Sequence, residues 1–225
     1  MLAMILAAGQ GERMGRLTDK TPKPLLKVNG KPLIVYQIES LAMAGVKKII
    51  INTGRLGELI HETIGSGKNY GVEINYSNEG SSPLETAGGV MKALPLLGEE
   101  SFILTNADIF TDFDYNLLPK NLEPADAHIV LVGNPKHNQE GDFVLTDGQI
   151  FKSGLEPLTY SGIGLFHPRF FKKYMPKKKR YPLAPLLRKS IEKKTLSGQK
   201  FTGFWFDVGT PERLDEINKQ YIRNK

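Results

Sequence analysis

No cysteine occurs anywhere in the 225 residues. That absence excludes disulfides and thiolate-held metals and fits a reducing compartment, so a cytoplasmic location is expected. No apolar stretch approaches the roughly 20 residues that a membrane-spanning helix needs. The apolar opening run, Met1 to Ala8, stops abruptly at Gly9-Gln10-Gly11-Glu12-Arg13. It also lacks the basic leader, longer apolar core and small-residue cleavage site of a signal peptide. A buried first strand is the expectation for it.

Acidic residues are outnumbered, 24 against 30 basic, leaving a formal charge of +6. Such a balance is compatible with nucleic acid, an anionic membrane or a polyanionic small substrate. No zinc-finger spacing, aromatic RNA-binding signature or basic heptad accompanies the lysines and arginines, so neither a nucleic-acid nor a membrane partner is expected. The densest run, Lys177-Lys178-Lys179-Arg180, reads as a solvated loop. An apolar share of 40% over this length suits one globular domain spanning residues 1–225.

Short apolar runs alternate with helical patterns, which predicts an α/β fold around a mainly parallel sheet. Leu2–Leu6, Ile49–Ile51, Val72–Tyr76, Phe102–Thr105 and Ile129–Val132 read as strands. Ile34, Ile38 and Leu41 share a helix face entered through Pro32 and closed at Gly45. Thr86–Leu94 is predicted helical and halted by Pro95. Leu183, Leu187 and Ile191 mark another helix face, and Leu214, Ile217 and Tyr221 the last. Phe143–Leu145 and Gln149–Phe151 flank Asp147-Gly148, a pair suited to tight turns, and predict a small hairpin inserted over the sheet. In open parallel sheets, ligands gather at strand carboxyl ends. Gly9–Arg13, Asn106–Asp108 and Asp207 fall at such ends.

The glycine loop Gly9-Gln10-Gly11-Glu12-Arg13-Met14-Gly15 allows backbone N–H groups to line one concavity and a phosphate to come close. It is no dinucleotide fingerprint, because Met14 stands where the third glycine belongs, and no P-loop occurs. Taken alone, such a turn is equally well a structural one. In Thr21-Pro22-Lys23-Pro24, two prolines stiffen the backbone and bias Lys23 toward an extended conformation. A rigid connector with an incidental lysine has the same composition.

Together the two segments are more specific. Leu6-Ala7-Ala8-Gly9-x-Gly11-x-Arg13-Met14, followed by Pro22-Lys23-Pro24-Leu25-Leu26-x-Val28-x-Gly30-Lys31-Pro32-Leu33-Ile34, strongly resembles the amino-terminal signature of the sugar-phosphate nucleotidyltransferases. The resemblance implies a Rossmann-like, GT-A-like nucleotidyltransferase fold. It implies that Gly9, Gly11, Glu12 and Arg13 bind the nucleotide's triphosphate and that Lys23 contacts phosphates during transfer. Leu84-Glu85-Thr86-Ala87-Gly88-Gly89-Val90 resembles the family segment that lies against the nucleobase, with Gly88 and Gly89 admitting the flat ring; a glycine-weakened helix start is the plainer reading.

Asn106-Ala107-Asp108 resembles the family's metal-binding turn, with Asp108 a hard oxygen ligand for Mg²⁺ and Asn106 a hydrogen-bond partner of the acceptor. Asp112 and Asp114 are rival carboxylates, better read as loop residues. Trp205-Phe206-Asp207-Val208-Gly209-Thr210-Pro211-Glu212 resembles the closing motif, with Asp207 the second metal ligand. Thr210, Pro211 and Glu212 are explained as a helix start; Asp207 is not. Gly141, Asp142, Phe143, Glu156 and Ser161–Gly164 resemble the sugar-binding stretch, Gly141 and Glu156 fixing the sugar, although ordinary turns would look similar. His61, His128, His137 and His167 lack metal or nucleophile spacing and read as structural or incidental.

The implied reaction joins a nucleoside triphosphate to a sugar 1-phosphate with Mg²⁺ assisting, one ion or two, and pyrophosphate leaving. Arg13, Lys23, Asp108 and Asp207 form the expected catalytic set. In length the chain is similar to the short N-acetylmuramate 1-phosphate uridylyltransferases of cell-wall recycling. Guanylyl- and cytidylyltransferases acting on heptose 1-phosphate, mannose 1-phosphate or phosphocholine share the early motifs. A non-catalytic nucleotide-sugar sensor is the rival of another class, and a monomer or small homo-oligomer is expected.

Overall fold

The computed structural model describes residues 1–173 and 179–223. Lys177 and Lys178 of the basic run, and the side chain of Tyr221, lie outside the described residues. The strands are β1 (Leu2–Leu6), β2 (Lys27–Val28), β3 (Lys31–Pro32), β4 (Lys48–Thr53), β5 (Glu73–Asn78), β6 (Phe102–Asn106), β7 (Ile109–Thr111), β8 (Ala127–Val132), β9 (Val144–Thr146), β10 (Gln149–Phe151), β11 (Thr159–Phe166), β12 (Leu196–Lys200) and β13 (Trp205–Asp207). The helices are α1 (Leu33–Met43), α2 (Gly57–Ile64), α3 (Glu85–Leu97), α4 (Pro168–Lys173), α5 (Ala184–Glu192) and α6 (Pro211–Arg223).

Nine strands form one sheet in the order β5-β4-β1-β6-β11-β8-β12-β10-β9. Following the pairings across it, seven strands share one direction and only β11 and β10 oppose it. The mainly parallel α/β architecture expected from the pattern is therefore present. Central strands are continuous apolar runs because both faces are covered. Ala3, Ile5, Ile49, Ile51 and Ile103 pack toward α1 and α2. Their neighbours Met4, Ile50, Phe102 and Leu104 pack toward α3, α4 and α5 on the other face. A smaller cluster of Met14, Val28, Leu33, Val208 and Ile217 seats α6.

Local chemistry sets several boundaries. At the end of α1, Gly45 adopts φ +83, its N–H bonds Ala42 at 3.0 Å and the Val46 N–H reaches back to Leu41 at 3.0 Å. That is the two-bond glycine stop for a helix, closed by buried Leu41 and Val46. Pro95, by contrast, does not halt α3. It removes one hydrogen bond near the end of the helix, while Leu94 and Leu97 remain buried and the Gly98 N–H bonds the Leu94 carbonyl at 3.1 Å. The last turn is held by packing.

The predicted hairpin forms, with Asp147 at φ 51 and Gly148 at φ 76. It does not lie over the sheet. Gln149 pairs with Ser197 of β12, so the hairpin extends the sheet edge and supplies partners for strand groups otherwise left open. Gly198 makes this possible: a Cβ there would stand 2.5 Å from the Ile150 side chain.

Candidate active site

The carboxyl ends of β1, β4, β5 and β6 surround a cleft of about 530 Å³. Leu6 is paired with Asn52 on one side and Asn106 on the other, so the loops leaving these strands must meet. Gly9, Gly11, Glu12, Arg13, Lys23, Asn106 and Asp108 all line this space. The topology thus gathers most of the residues singled out in the sequence.

The glycine loop is shaped for that position. Gly11 takes φ +69, and its carbonyl accepts the Met14 N–H at 2.8 Å and the Thr18 hydroxyl at 3.0 Å. A Cβ on Gly11 would lie 2.9 Å from Thr18 Cγ2, whereas nothing stands within 4 Å of the corresponding position on Gly9. Gly11 is therefore required for closure of the turn, and Gly9 leaves the floor of the cleft open.

Lys23 departs from the expected extended backbone. Pro22 is extended, at φ −64 and ψ 142, but Lys23–Leu25 forms a single 3-10 turn. The Leu25 N–H bonds Pro22 at 2.8 Å and the Leu26 N–H bonds Lys23 at 3.0 Å, which overrides the local preference of a residue before proline. The Lys23 ammonium ion-pairs with the Asp108 carboxylate, both partly buried.

The turn bearing Asp108 is secured from below. Gln37 of α1 donates to the Ile109 carbonyl at 2.8 Å, while its own carbonyl oxygen accepts the Tyr115 hydroxyl at 2.5 Å. Tyr115 also reaches Thr105 on β6 at 3.0 Å. Burial pushes the Tyr115 hydroxyl well above the ordinary phenol range, keeping it a neutral donor. Asp108 is joined to the closing motif through its carbonyl, which accepts the Val208 N–H at 2.8 Å.

Asp207 ends β13, paired with β7 opposite Ile109. Asp108, in the turn before β7, and Asp207, at the end of β13, are thus brought onto neighbouring backbone, but each carboxylate has its own basic partner. Asp207 binds Arg213 at 2.6 Å and lies 3.1 Å from His137 Nε2. Asp207 is not among the residues lining the cleft; Gly209, two residues on, is. A Cβ on Gly209 would fall 2.0 Å from an Arg213 nitrogen and 3.4 Å from an Arg13 nitrogen, so this glycine admits Arg213 beside Arg13. Asp114 caps its own turn by accepting the Asn116 N–H at 2.9 Å, consistent with a loop role, and Asp112 does not line the cleft.

A second cavity of about 410 Å³ adjoins the first, the two sharing Thr86 and Asn106. Gly141, Asp142 and Phe143 line it. Asn106 fits at the junction because Gly162 sits in an irregularity of β11 at φ +80, where a Cβ would come within 2.5 Å of the Asn106 amide. Irregular strands of this kind commonly re-aim side chains beside functional sites.

Comparison with known proteins identifies the family to which this fold belongs. Residues 2–145 match the family model described as nucleotidyl transferase. An N-acetylmuramate alpha-1-phosphate uridylyltransferase of Neisseria meningitidis is 46% identical over 226 residues, covering 96% of each chain. The chain belongs to the sugar-phosphate nucleotidyltransferase family. A mannose-1-phosphate guanyltransferase of Yarrowia lipolytica is a more distant relative, 31% identical, and the chain spans 61% of its length. A Bacillus anthracis crystal structure, of a protein provisionally named a glucose-1-phosphate thymidylyltransferase, superposes with a TM-score of 0.83 at 22% identity. The match covers 98% of this chain and 95% of that one, which establishes the shared fold.

Within this nucleotidyltransferase, Gly88, Gly89 and Glu156, like Asp207, line neither cavity. Gly88 is buried in α3, and its missing side chain makes room for the distant segment around Tyr181: a Cβ would lie 2.4 Å from the Lys179 carbonyl, and the Gly88 N–H bonds Tyr181 at 3.0 Å. Its glycine requirement comes from packing, and it lines neither cavity. Glu156 is exposed in a bend and likewise lines neither. The basic run is partly tethered, since Arg180 pairs with Glu85 at 2.8 Å.

Other lining residues escaped the sequence reading. Asn52 accepts the Ala7 N–H at 2.7 Å and donates to Glu79 at 2.7 Å; Glu79 also accepts the Leu84 N–H at 2.9 Å. Gly89 leaves space for this buried pair, since a Cβ would be 2.3 Å from the Glu79 carboxylate. The available signal was a polar side chain closing each of the runs Ile49–Asn52 and Val72–Glu79, at strand carboxyl ends. His137 and Arg213 carry no such signal: His137 reaches Asp207 from a distant loop, and Arg213, in the first turn of α6, does not announce which carboxylate it meets.

Proposed function

We propose that this nucleotidyltransferase transfers a uridylyl group from UTP to N-acetylmuramate α-1-phosphate, forming the nucleotide sugar and pyrophosphate in cell-wall sugar recycling. One observation carries the catalytic part of this reading: Lys23 and Asp108 meet in a cleft that also holds Arg13, and Asn106 joins that cleft to a second cavity. Donor and acceptor thereby have adjoining spaces beside one cluster of charge. The 46% identity over nearly the whole of both chains supports the choice of nucleotide and sugar.

The acceptor's phosphate oxygen attacks the α-phosphorus of UTP. A new P–O bond forms there, the bond to the β-phosphate bridge breaks, and pyrophosphate departs with the bridging electrons. Two polyanions must approach, so positioning and charge neutralisation dominate the barrier. Arg13 stabilises the departing pyrophosphate and Lys23 the charge around the α-phosphorus. The loop Gly9–Glu12 wraps the triphosphate, and Asn106 orients the acceptor. No covalent intermediate on the protein is required.

Asp108 and Asp207 would hold Mg²⁺, and the donor set fits it. Asp108, in the turn before β7, lines the cleft, and Asp207 ends β13 just behind it, the two stretches joined by the Val208 N–H bond to the Asp108 carbonyl; both are hard oxygen donors. Magnesium commonly keeps several waters and takes one or two carboxylates together with substrate phosphates. When bound, the ion supplies charge neutralisation and Lewis-acid polarisation of the phosphates. Lys23 pairs with Asp108 and Arg213 with Asp207.

The one-domain organisation, cytoplasmic location, monomeric or small homo-oligomeric state and absence of nucleic-acid and membrane partners belong to the same proposal. No helix among the described residues is long and apolar enough to cross a membrane. The test is a pyrophosphate-release screen crossing four nucleoside triphosphates with a panel of phosphorylated acceptors. Release is expected with UTP and N-acetylmuramate 1-phosphate together. Release from the triphosphate alone would indicate a hydrolase, and a different preferred pair would reassign the substrates.

A further inference from the structure

We propose that Arg188 selects the acceptor by binding a carboxylate carried on the sugar, remote from its phosphate; this rests on the reading of the second cavity as the acceptor site. Arg188 is exposed on α5 and lines that cavity together with Ala184 and Leu187. These three positions share one face of the helix, at the i, i+3 and i+4 spacing. Leu183, Leu187 and Phe143 make the surrounding wall apolar. Among the described residues, Arg188 has no ion-pair or hydrogen-bond partner.

The arrangement of the two cavities says what Arg188 faces. They touch at Thr86 and Asn106, and Arg13 and Lys23 line only the first. An acceptor whose phosphate points toward Lys23 through that junction presents its ring and substituents to the second cavity. A neutral sugar gives a guanidinium there nothing to neutralise. A sugar carrying a carboxylate gives it a planar partner matched for two parallel hydrogen bonds. The cavity's own acid, Asp142, cannot serve that purpose: it is not within ion-pair distance of Arg188, and its carboxylate accepts the Tyr160 N–H at 2.8 Å. A muramate is distinguished from other amino sugars by a lactyl ether ending in a carboxylate, and its methyl group suits the apolar wall.

The experiment crosses substrate with residue. Wild type, Arg188→Ala and Arg188→Lys are assayed with UTP against N-acetylmuramate 1-phosphate and N-acetylglucosamine 1-phosphate, which differ by the lactyl group alone. Glucuronate 1-phosphate and glucose 1-phosphate form a second pair differing in a carboxylate. Arg188→Ala should raise KM for N-acetylmuramate 1-phosphate by about 10- to 100-fold, the range expected for losing a charged hydrogen-bonded pair. Its kcat/KM for the neutral partner should stay within about threefold, and Arg188→Lys should recover part of the loss because charge without the planar fork is retained. Equal losses on both members of a pair would show that Arg188 holds the phosphate or the fold, and would overturn the proposal. No loss on either, or a wild-type preference for the neutral members, would overturn it as well. Should wild type refuse the muramate yet prefer glucuronate 1-phosphate through Arg188, the carboxylate assignment stands and the muramate reading falls.

Discussion

Two carboxylates and one ammonium carry the greatest consequences for single residues. Asp108→Asn keeps the shape of the turn but removes the charge that faces Lys23, and Asp207→Asn does the same toward Arg213. Each should lower Mg²⁺-dependent turnover at least ~100-fold while far-UV circular dichroism stays unchanged; wild-type turnover in either variant would remove that residue from the site. Lys23→Ala should slow transfer by about 100- to 1,000-fold, as expected for losing a charge aimed at the reacting phosphate. A different behaviour belongs to His128, held in β8 between Ser197 Oγ and Gln199 Oε1, each at 2.9 Å. Burial lowers its pKa from the ordinary 6.5, with the Gln199 bond opposing the shift. The unfolded chain therefore binds the proton more readily, so stability is complete above pH 6.5 and declines as the pH falls below it. Urea titrations between pH 7 and pH 5 should show this slope, and His128→Gln should flatten it.

Among the elements, α6 shows how a local signal and a distant contact divide the same segment. Thr210 precedes Pro211 and caps the helix through its hydroxyl, which accepts the Arg213 N–H at 3.4 Å; this start was legible from Thr210, Pro211 and Glu212 alone. Thr210→Ala should cost about 1 kcal/mol of stability, read by chemical denaturation, with activity largely kept because Arg213 retains Asp207 as partner. The ion pair of that same Arg213 was not legible, since residue types around position 213 do not say which carboxylate lies across the turn. Helix α3 divides in the same way. Its existence followed from the pattern, but its passage through Pro95 depends on buried Leu94 and Leu97. The need for glycine at position 88 arises from the Lys179–Tyr181 backbone lying against it.

For the whole molecule, the nine-stranded sheet draws strands from Leu2 to Lys200 into one hydrogen-bonded layer, so the chain should lose its structure in one step. Trp205 is the single tryptophan, placed on β13 with its indole N–H donating to Ser161 at 3.0 Å. Its fluorescence and the far-UV circular dichroism should give superimposable denaturation curves, and separated midpoints would argue for two independent units. Legible along the chain were the alternation of strands and helices, the glycine stop of α1, the Asp147-Gly148 turn, and the clustering of glycine, lysine and carboxylate at strand ends. These follow from periodicity and backbone preference, which act between near neighbours in the chain. Folding in three dimensions added that Lys23 answers Asp108, that Arg213 and His137 answer Asp207, that Asn52 and Glu79 close the cleft, and that the hairpin extends the sheet rather than covering it. Such choices depend on which charges and surfaces folding brings within a few ångströms, and no spacing along the chain encodes that distance.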